Sequence, residues 1–161
     1  MSTTVQIKQQ WVTSAPFRAH FQLILEQTGL PWRVLALAIG LPIPLARRLA
    51  LAPPGRHRIR VEDARRLIAV SPEDLAGLST ELVGCRTLSR RLRELQDGGM
   101  DALTIAHRAG VTPSQVQQLA SGAVVRCSRL TLLRMLALID ELDEVPGAAR
   151  RRPTSLPDRA A

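Results

Sequence analysis

The chain has 161 residues, with 22 Lys and Arg against 14 Asp and Glu, so its formal net charge is +8. Apolar residues make up 45%, enough for a packed core, yet no apolar run approaches the roughly 18 residues of a membrane span. Two cysteines exclude a disulfide framework or a four-ligand zinc site, and the N-terminus does not resemble a secretory signal. We therefore expect a cytoplasmic protein with a polyanionic partner.

Helical patterns follow one another along the first half of the chain. Ser14 is placed to cap the first helix, in which Phe17, Phe21 and Ile24 recur at helical spacing. Glycine and proline then divide the chain into further predicted helices, at residues 31–39, 43–51, 61–70 and from 72 onward. No segment alternates apolar and polar residues with β-branched enrichment, so the fold is predicted to be all-α.

The second half repeats this succession, with predicted helices at residues 87–96, 102–109, 112–121 and 129–142. An offset of 70 residue numbers aligns the halves, and beyond the Pro53-Pro54-Gly55 loop the offset becomes 68. These offsets pair Leu25 with Leu95, Gly40 with Gly110 and Arg66 with Arg134. We predict a tandem duplication with four parts: a flexible N-terminus at 1–13, domains at 14–79 and 80–144, and a flexible basic tail at 145–161.

The second copy has the spacing required by two helices joined through a tight turn. Ala106 is small enough for a close helix crossing, and four residues later Gly110 permits the positive φ of the turn. Aliphatic residues complete the pattern at Val111, Val116 and Leu119. These positions predict a helix-turn-helix.

The helix after this turn carries polar residues on its outward face. It opens on Thr112 and Pro113, and Gln115 stands at the third helical position, which is the pattern of a capping box. Amide side chains pair bidentately with adenine in the major groove, and short polar side chains also fit base edges. The residues predicted to face bases are Ser114, Gln115, Gln117 and Gln118.

Residues 88–140 resemble the helix-turn-helix domain of Cro and the phage repressors, also called the Xre class. The resemblance lies in the run 104–112 and in the Ser-capped start of a further helix at Ser128. The whole chain also resembles tandem helix-turn-helix proteins of GC-rich bacteria and their phages. The resemblance implies two tandem lambda-repressor-like domains, with phosphate contacts in the second at Thr112, Arg126 and Arg129. Asp101-Ala102 stand where the family often has a phosphate-clamping Gln, which weakens that contact.

The first copy is less regular than the second. Ala46 stands where a larger aliphatic residue is expected, and the second helix of the pair opens on the apolar run 42–45 instead of polar residues. We expect this copy to grip the DNA backbone, to contact thymine methyls through Ile43, or to bind a protein. Its predicted backbone contacts are Arg47, Arg48, Arg56, Arg58 and Arg60.

Acidic residues are absent from two long stretches, between Gln27 and Val61 and between Ala102 and Ile139. Each stretch contains several Arg and is centred on a predicted helix-turn-helix. We therefore expect a local positive field at both sites and a steep salt dependence of DNA binding.

These features predict a sequence-specific regulator of transcription that binds double-stranded DNA and associates with the nucleoid. No cofactor is expected, and the lack of a phosphate loop, paired carboxylates or a nucleophile–base pattern argues against an enzyme. Cys85 and Cys127 are interpreted as small buried apolar residues. Two alternatives stay open: a sequence-tolerant architectural DNA-binding protein, and a protein-interaction adaptor, for instance to RNA polymerase. A homodimer also stays open.

Overall fold

The computed structural model describes residues 10–145, so the predicted tail beyond Val145 and the first nine positions lie outside the described residues. The described chain is mainly helical and divides into two compact units, unit 1 up to Leu78 and unit 2 from Ser79. None of its helices is both long and apolar enough to cross a membrane. Its helices and strands are β1 (Trp11–Thr13), α1 (Ala15–Thr28), α2 (Trp32–Ile39), α3 (Ile43–Leu51), β2 (Arg58–Arg60), α4 (Val61–Ile68), α5 (Pro72–Ala76), β3 (Leu82–Gly84), α6 (Arg86–Asp97), α7 (Ala102–Ala109), α8 (Pro113–Ser121), β4 (Arg126–Ser128) and α9 (Arg129–Glu144).

Four short strands correct the all-α prediction. Antiparallel β1 and β2 pair in unit 1 with Trp11 opposite Arg60, and β3 and β4 pair in unit 2 with Leu82 opposite Ser128. Each strand has three residues, too few to show an alternating pattern in the sequence. Because Trp11 lies in β1, the chain joins the fold from this residue instead of remaining a flexible segment through residue 13.

Both units contain a strand, three helices, a second strand and a further helix in the same order, and unit 1 then adds the short helix α5. The bounds of α2 and α7, and of α3 and α8, differ by the predicted 70 residue numbers. The first helices, α1 and α6, do not share this offset, since they begin at Ala15 and Arg86. Phe21 and Ile24 are buried in α1 as Leu92 and Leu95 are in α6, an offset of 71. The pairing of Leu25 with Leu95 is therefore wrong, because Leu25 is only half-buried.

The turn between the second and third helices is built alike in both units. Gly40 and Gly110 have φ values of 70° and 68°, a left-handed conformation that favours glycine. Their carbonyl oxygens accept hydrogen bonds from the paired arginines, from Arg66 Nη1 at 3.0 Å and from Arg134 Nη1 at 2.5 Å. The helix that follows the second strand, α4 in unit 1 and α9 in unit 2, thus ties down the turn that positions the third helix.

The third helix of each unit lies against its first and second helices. In unit 2, Val116 of α8 and Ile105 of α7 are fully buried in one core. In unit 1, Ala46 is fully buried at the register of Val116. The irregularity seen in the first copy is therefore a smaller side chain in the core, and α3 keeps the same inward face as α8.

Candidate nucleic-acid interface

A complete capping box begins α8, as predicted. Thr112 Oγ1 accepts the backbone N–H of Gln115 at 3.2 Å, and Gln115 Oε1 accepts the backbone N–H of Thr112 at 2.9 Å. These two bonds satisfy amides that the first turn of a helix leaves without partners. Gln115 Oε1 also accepts from Thr112 Oγ1 at 3.2 Å. In this state the amide NH₂ group of Gln115 remains as the donor for a ligand.

The outward face of α8 is polar, uncharged and open to solvent. Val116 and Leu119 are buried, while Ser114, Gln117 and Gln118 are exposed. This split follows from the helical period, which turns the aliphatic positions toward α6 and α7 and the polar ones away. The helix therefore presents hydroxyl and amide groups from its N-terminal half.

A shallow groove of about 320 Å³ lies beside this helix, and we call it the unit 2 groove. It brings together Gln115, Gln118 and Arg126, with Ser128 and Thr131 at the start of α9. Three predicted site residues, two from α8 and one from β4, thus line one surface. The other predicted residues of unit 2, namely Thr112, Ser114, Gln117 and Arg129, are not among its lining residues.

Unit 2 holds its arginines in internal contacts. Arg126 Nη2 donates to the carbonyl of Leu82 at 3.1 Å, and Arg129 Nη1 lies 3.1 Å from Glu81 Oε2. Arg108 is paired with Glu141 at 2.9 Å. Glu81 and Glu141 come from outside the acid-free stretch but fold back against it. The expected local excess of positive charge is therefore reduced in unit 2, since carboxylates distant in sequence partly neutralise these arginines.

Asp101 begins α7 as its N-cap. Its Oδ1 accepts the backbone N–H of Thr104 at 2.6 Å, and this hydrogen bond holds the pKa of the carboxyl below its usual range. The residue that departs from the repressor pattern thus has a local task, which is to satisfy the first turn of the helix.

The third helix of unit 1 begins differently from α8. Its N-cap is Pro42, which makes no side-chain capping bond, and Leu45 is only 7% exposed. Ile43 is half-buried. Within the apolar run 42–45, Leu45 therefore belongs to the core, while Pro42 and Pro44 are exposed.

A second groove, the unit 1 groove, lies between α1, α3 and the loop and strand that follow α3, and encloses about 230 Å³. The predicted residues Arg48 and Arg58 both line it, together with Arg18 and His57. Arg18 was missed by the sequence pattern, since only the packing of α1 against α3 brings it here. The predicted residues Arg47, Arg56 and Arg60 are exposed but are not among the lining residues.

Arg60 is held by stacking on its cross-strand neighbour. Its guanidinium carbon lies 5.7 Å from the centre of the Trp11 ring, in the register set by β1 and β2. A cation over an indole face is stabilised by the ring quadrupole and keeps its hydrogen-bond donors outward. Both residues are exposed, so the guanidinium stays accessible to an anion.

Cys85 is buried and Cys127 is half-buried, as expected for small apolar residues. Burial and a hydrogen bond with Cys85 raise the pKa of the Cys127 thiol to about 11. A thiol with so high a pKa is a poor nucleophile near neutral pH. Among residues 10–145, no group of three His, Cys, Asp or Glu is arranged to hold a metal ion.

Comparison with family models, curated proteins and solved structures finds no match to this chain.

Proposed function

We propose that the chain is a sequence-specific regulator of transcription that binds double-stranded DNA through two lambda-repressor-like helix-turn-helix units. In this proposal unit 2 reads bases in the major groove with α8, and unit 1 adds affinity for the backbone. The protein then resides on the nucleoid, and it needs no cofactor.

The observation that carries this proposal is the outward face of α8. Ser114, Gln117 and Gln118 are exposed, uncharged hydrogen-bonding residues on a helix anchored through the positive-φ turn at Gly110. Charged faces bind any phosphate backbone, whereas amides and hydroxyls gain from a match to base edges. A helix of about this length fits the major groove. This combination favours base reading over a purely architectural role.

Selection of bound sequences from a random duplex pool tests the proposal. The affinity for the selected site and for random duplex is then compared at one salt concentration. We expect the selected site to bind at least about a thousandfold more tightly, as is usual for specific regulators. A ratio near one excludes sequence-specific regulation and favours the architectural alternative.

A pair of variants locates the reading residues. Gln117→Ala with Gln118→Ala is expected to lower affinity for the selected site at least about tenfold, because each bidentate contact contributes about 1–3 kcal/mol. Affinity for random duplex should stay unchanged. Gln96→Ala is the control. Gln96 is a half-buried residue of α6, and its substitution should leave both affinities unchanged. Equal losses on selected and random duplexes would place base reading elsewhere.

Gln115 needs separate treatment because it also caps α8. Gln115→Ala removes the cap and the reading group together, so a loss of binding has two causes. Its thermal unfolding should therefore be measured beside that of the Gln117 and Gln118 variant, whose substitutions leave the capping box intact.

A further inference from the structure

The unit 1 groove and the unit 2 groove are lined by equivalent positions of the third helix and the second strand, but their chemistry differs. Leu45 stands at the position of Gln115, and Arg48 at that of Gln118. Arg58 and Arg126 correspond, at the offset of the second strands. Arg18 replaces the buried Ser89 on the first helix, at the offset of 71 that burial indicates. Unit 1 thus lacks both of these amides, and it has two additional cations, Arg48 and Arg18, although Ser89 itself does not line the unit 2 groove.

The arginines of the unit 1 groove are free to meet an external anion. Among residues 10–145, no carboxylate pairs with Arg18, Arg48 or Arg58, and none of the residues lining the groove is acidic. Three like charges around one groove repel one another, and an approaching polyanion relieves that repulsion. This contrasts with Arg129 in unit 2, which is paired with Glu81.

The apolar residues that line the unit 1 groove indicate which kind of anion it binds. Apolar residues line the groove beside the cations, and we call them its apolar floor: Ala15, Ala19, Leu45, Leu49, Pro54 and Ile59. A deoxyribose ring is largely apolar and lies between two phosphates, so a DNA backbone matches an apolar floor with a cationic rim. No Trp, Phe or Tyr lines the groove, which leaves no stacking platform for the unpaired bases of a single strand.

We infer that the unit 1 groove binds the sugar–phosphate backbone of duplex DNA, with Arg18, Arg48 and Arg58 pairing with phosphates and the apolar floor packing against deoxyribose. At the position of the amide Gln115, unit 1 has the core residue Leu45, so we assign this groove backbone contacts only. The inference rests on the proposed function only in taking DNA as the partner. It adds Arg18 to the interface and divides the work between the two grooves.

The salt dependence of binding to random duplex tests this inference. Each phosphate contact contributes about 0.9 to the slope of log affinity against log salt concentration. Arg18→Gln, Arg48→Gln and Arg58→Gln should each lower that slope by about this amount, and the triple variant by about 2.7. Arg65→Gln is the matched control, since Arg65 is exposed on α4 outside the groove. Its slope should change by less than half as much.

The fold of each variant is checked by circular dichroism and thermal unfolding, and Gln keeps much of the aliphatic stem of Arg. A triple variant that folds and keeps the wild-type slope overturns the inference. Variants that lower the slope no more than Arg65→Gln does also overturn it, since they reveal only a loss of net charge.

Inorganic phosphate and a deoxynucleoside monophosphate separate a backbone site from a site for small anions. Titrations are followed through the arginine Nε–H signals in nuclear magnetic resonance. We expect duplex to shift the groove signals at concentrations where neither small anion does. Saturation by a small anion at lower concentration than by duplex overturns the backbone assignment.

The two proposals fail separately. If the selection returns no preferred sequence but the groove variants still lower the salt-dependence slope, the proposal of base reading is wrong. The assignment of the unit 1 groove to the DNA backbone is then retained. If a preferred site is found but the triple variant keeps the wild-type slope, the proposed regulator function is retained and the backbone assignment is wrong.

Discussion

The two units share the succession from the first strand to the helix after the second strand, but they differ in how many of their arginines are held in internal contacts. In unit 2, seven of the arginines within the described chain make internal hydrogen bonds or ion pairs: Arg90, Arg91, Arg93, Arg108, Arg126, Arg129 and Arg134. In unit 1, three arginines line an open groove without an acidic partner among residues 10–145. A charge count by sequence gives unit 1 the larger positive excess within residues 10–145. It does not show which arginines remain available, because that depends on which carboxylates fold back against each arginine.

This difference separates two tasks that one fold can perform. Unit 2 pairs Arg108 and Arg129 with carboxylates and leaves amides and hydroxyls on its outward helix. Unit 1 has no capping box at its third helix and leaves cations outward. Surface ion pairs contribute little stability each, so their main effect here is to withdraw positive charge from the surface of unit 2.

The largest expected effect is a loss of stability on truncating a buried residue of the first helix in each unit. Phe21 and Leu92 occupy equivalent positions and are fully buried. Phe21→Ala should lower the free energy of unfolding of unit 1 by about 3–5 kcal/mol, and Leu92→Ala that of unit 2 by about 2–5 kcal/mol. Hydrogen exchange of the α1 and α6 amides measures each loss. Leu23→Ala, 47% exposed, is the control and should change little. A small effect of Phe21→Ala would contradict the offset of 71.

The next prediction concerns the reactivity of Cys127 toward an alkylating reagent. Cys127 occupies the position of the buried Ile59, so the fold should shield its thiol. Its pKa is raised from 9.0 to about 11, so its thiolate is about a hundredfold scarcer at pH 8. Alkylation by iodoacetamide, located by peptide mass spectrometry, should be slower than in the unfolded chain by about that factor. Equal rates in native and unfolded protein would show that Cys127 does not behave as an interior residue.

The shared turn should respond alike in both units. Gly40→Ala and Gly110→Ala each place a side chain at positive φ, which costs about 1–2 kcal/mol of stability. An added Cβ meets no backbone atom within 4 Å at either glycine, so conformation alone sets the cost. Gly77→Ala is the control, since its φ is −69° and the space is open. Chemical unfolding measures all three, and a loss confined to one unit would show that the turns are not equivalent.

The smallest expected effect is on the stability of unit 2 at acid pH. The lowered pKa of Asp101 means that its cap stabilises unit 2 above its ordinary pKa of 3.8. That stabilisation is lost as pH falls through the lowered value, because the protonated carboxyl accepts the Thr104 N–H less well. The stability difference between wild type and Asp101→Asn should therefore shrink below pH 3.8. Hydrogen exchange of α7 reports it, with α2 as reference because its N-cap, Pro31, makes no side-chain bond. A pH-independent difference would contradict the capping role.

Much of the helical fold follows from local patterns that can be recognised in the chain. Apolar spacing, the capping box at Thr112 and the stop signals at Gly40 and Gly110 each act within one helical turn, so the sequence shows them directly. The strands were missed because their partners lie more than 40 residues away and each is three residues long.

The candidate sites were predictable only in part. The polar face of α8 is visible in the sequence because helical period alone turns Gln117 and Gln118 outward. Arg18 gave no signal, since it acts with Arg48 and Arg58 only after α1 packs on α3. Nothing near Arg129 in the sequence indicates that it pairs with Glu81.

The sequence by itself determined a mainly helical chain built from two similar halves, because helix periodicity and glycine stops are properties of neighbouring residues. Only the tertiary structure decided which cations remain available. Electrostatic neutralisation depends on distance in space, and folding brings Glu81 and Glu141 against arginines while leaving the unit 1 groove without an acid among its lining residues. Within residues 10–145, unit 1 has nine Arg against five Asp and Glu and unit 2 has eight against eight, so the excess positive charge of the described chain lies in unit 1.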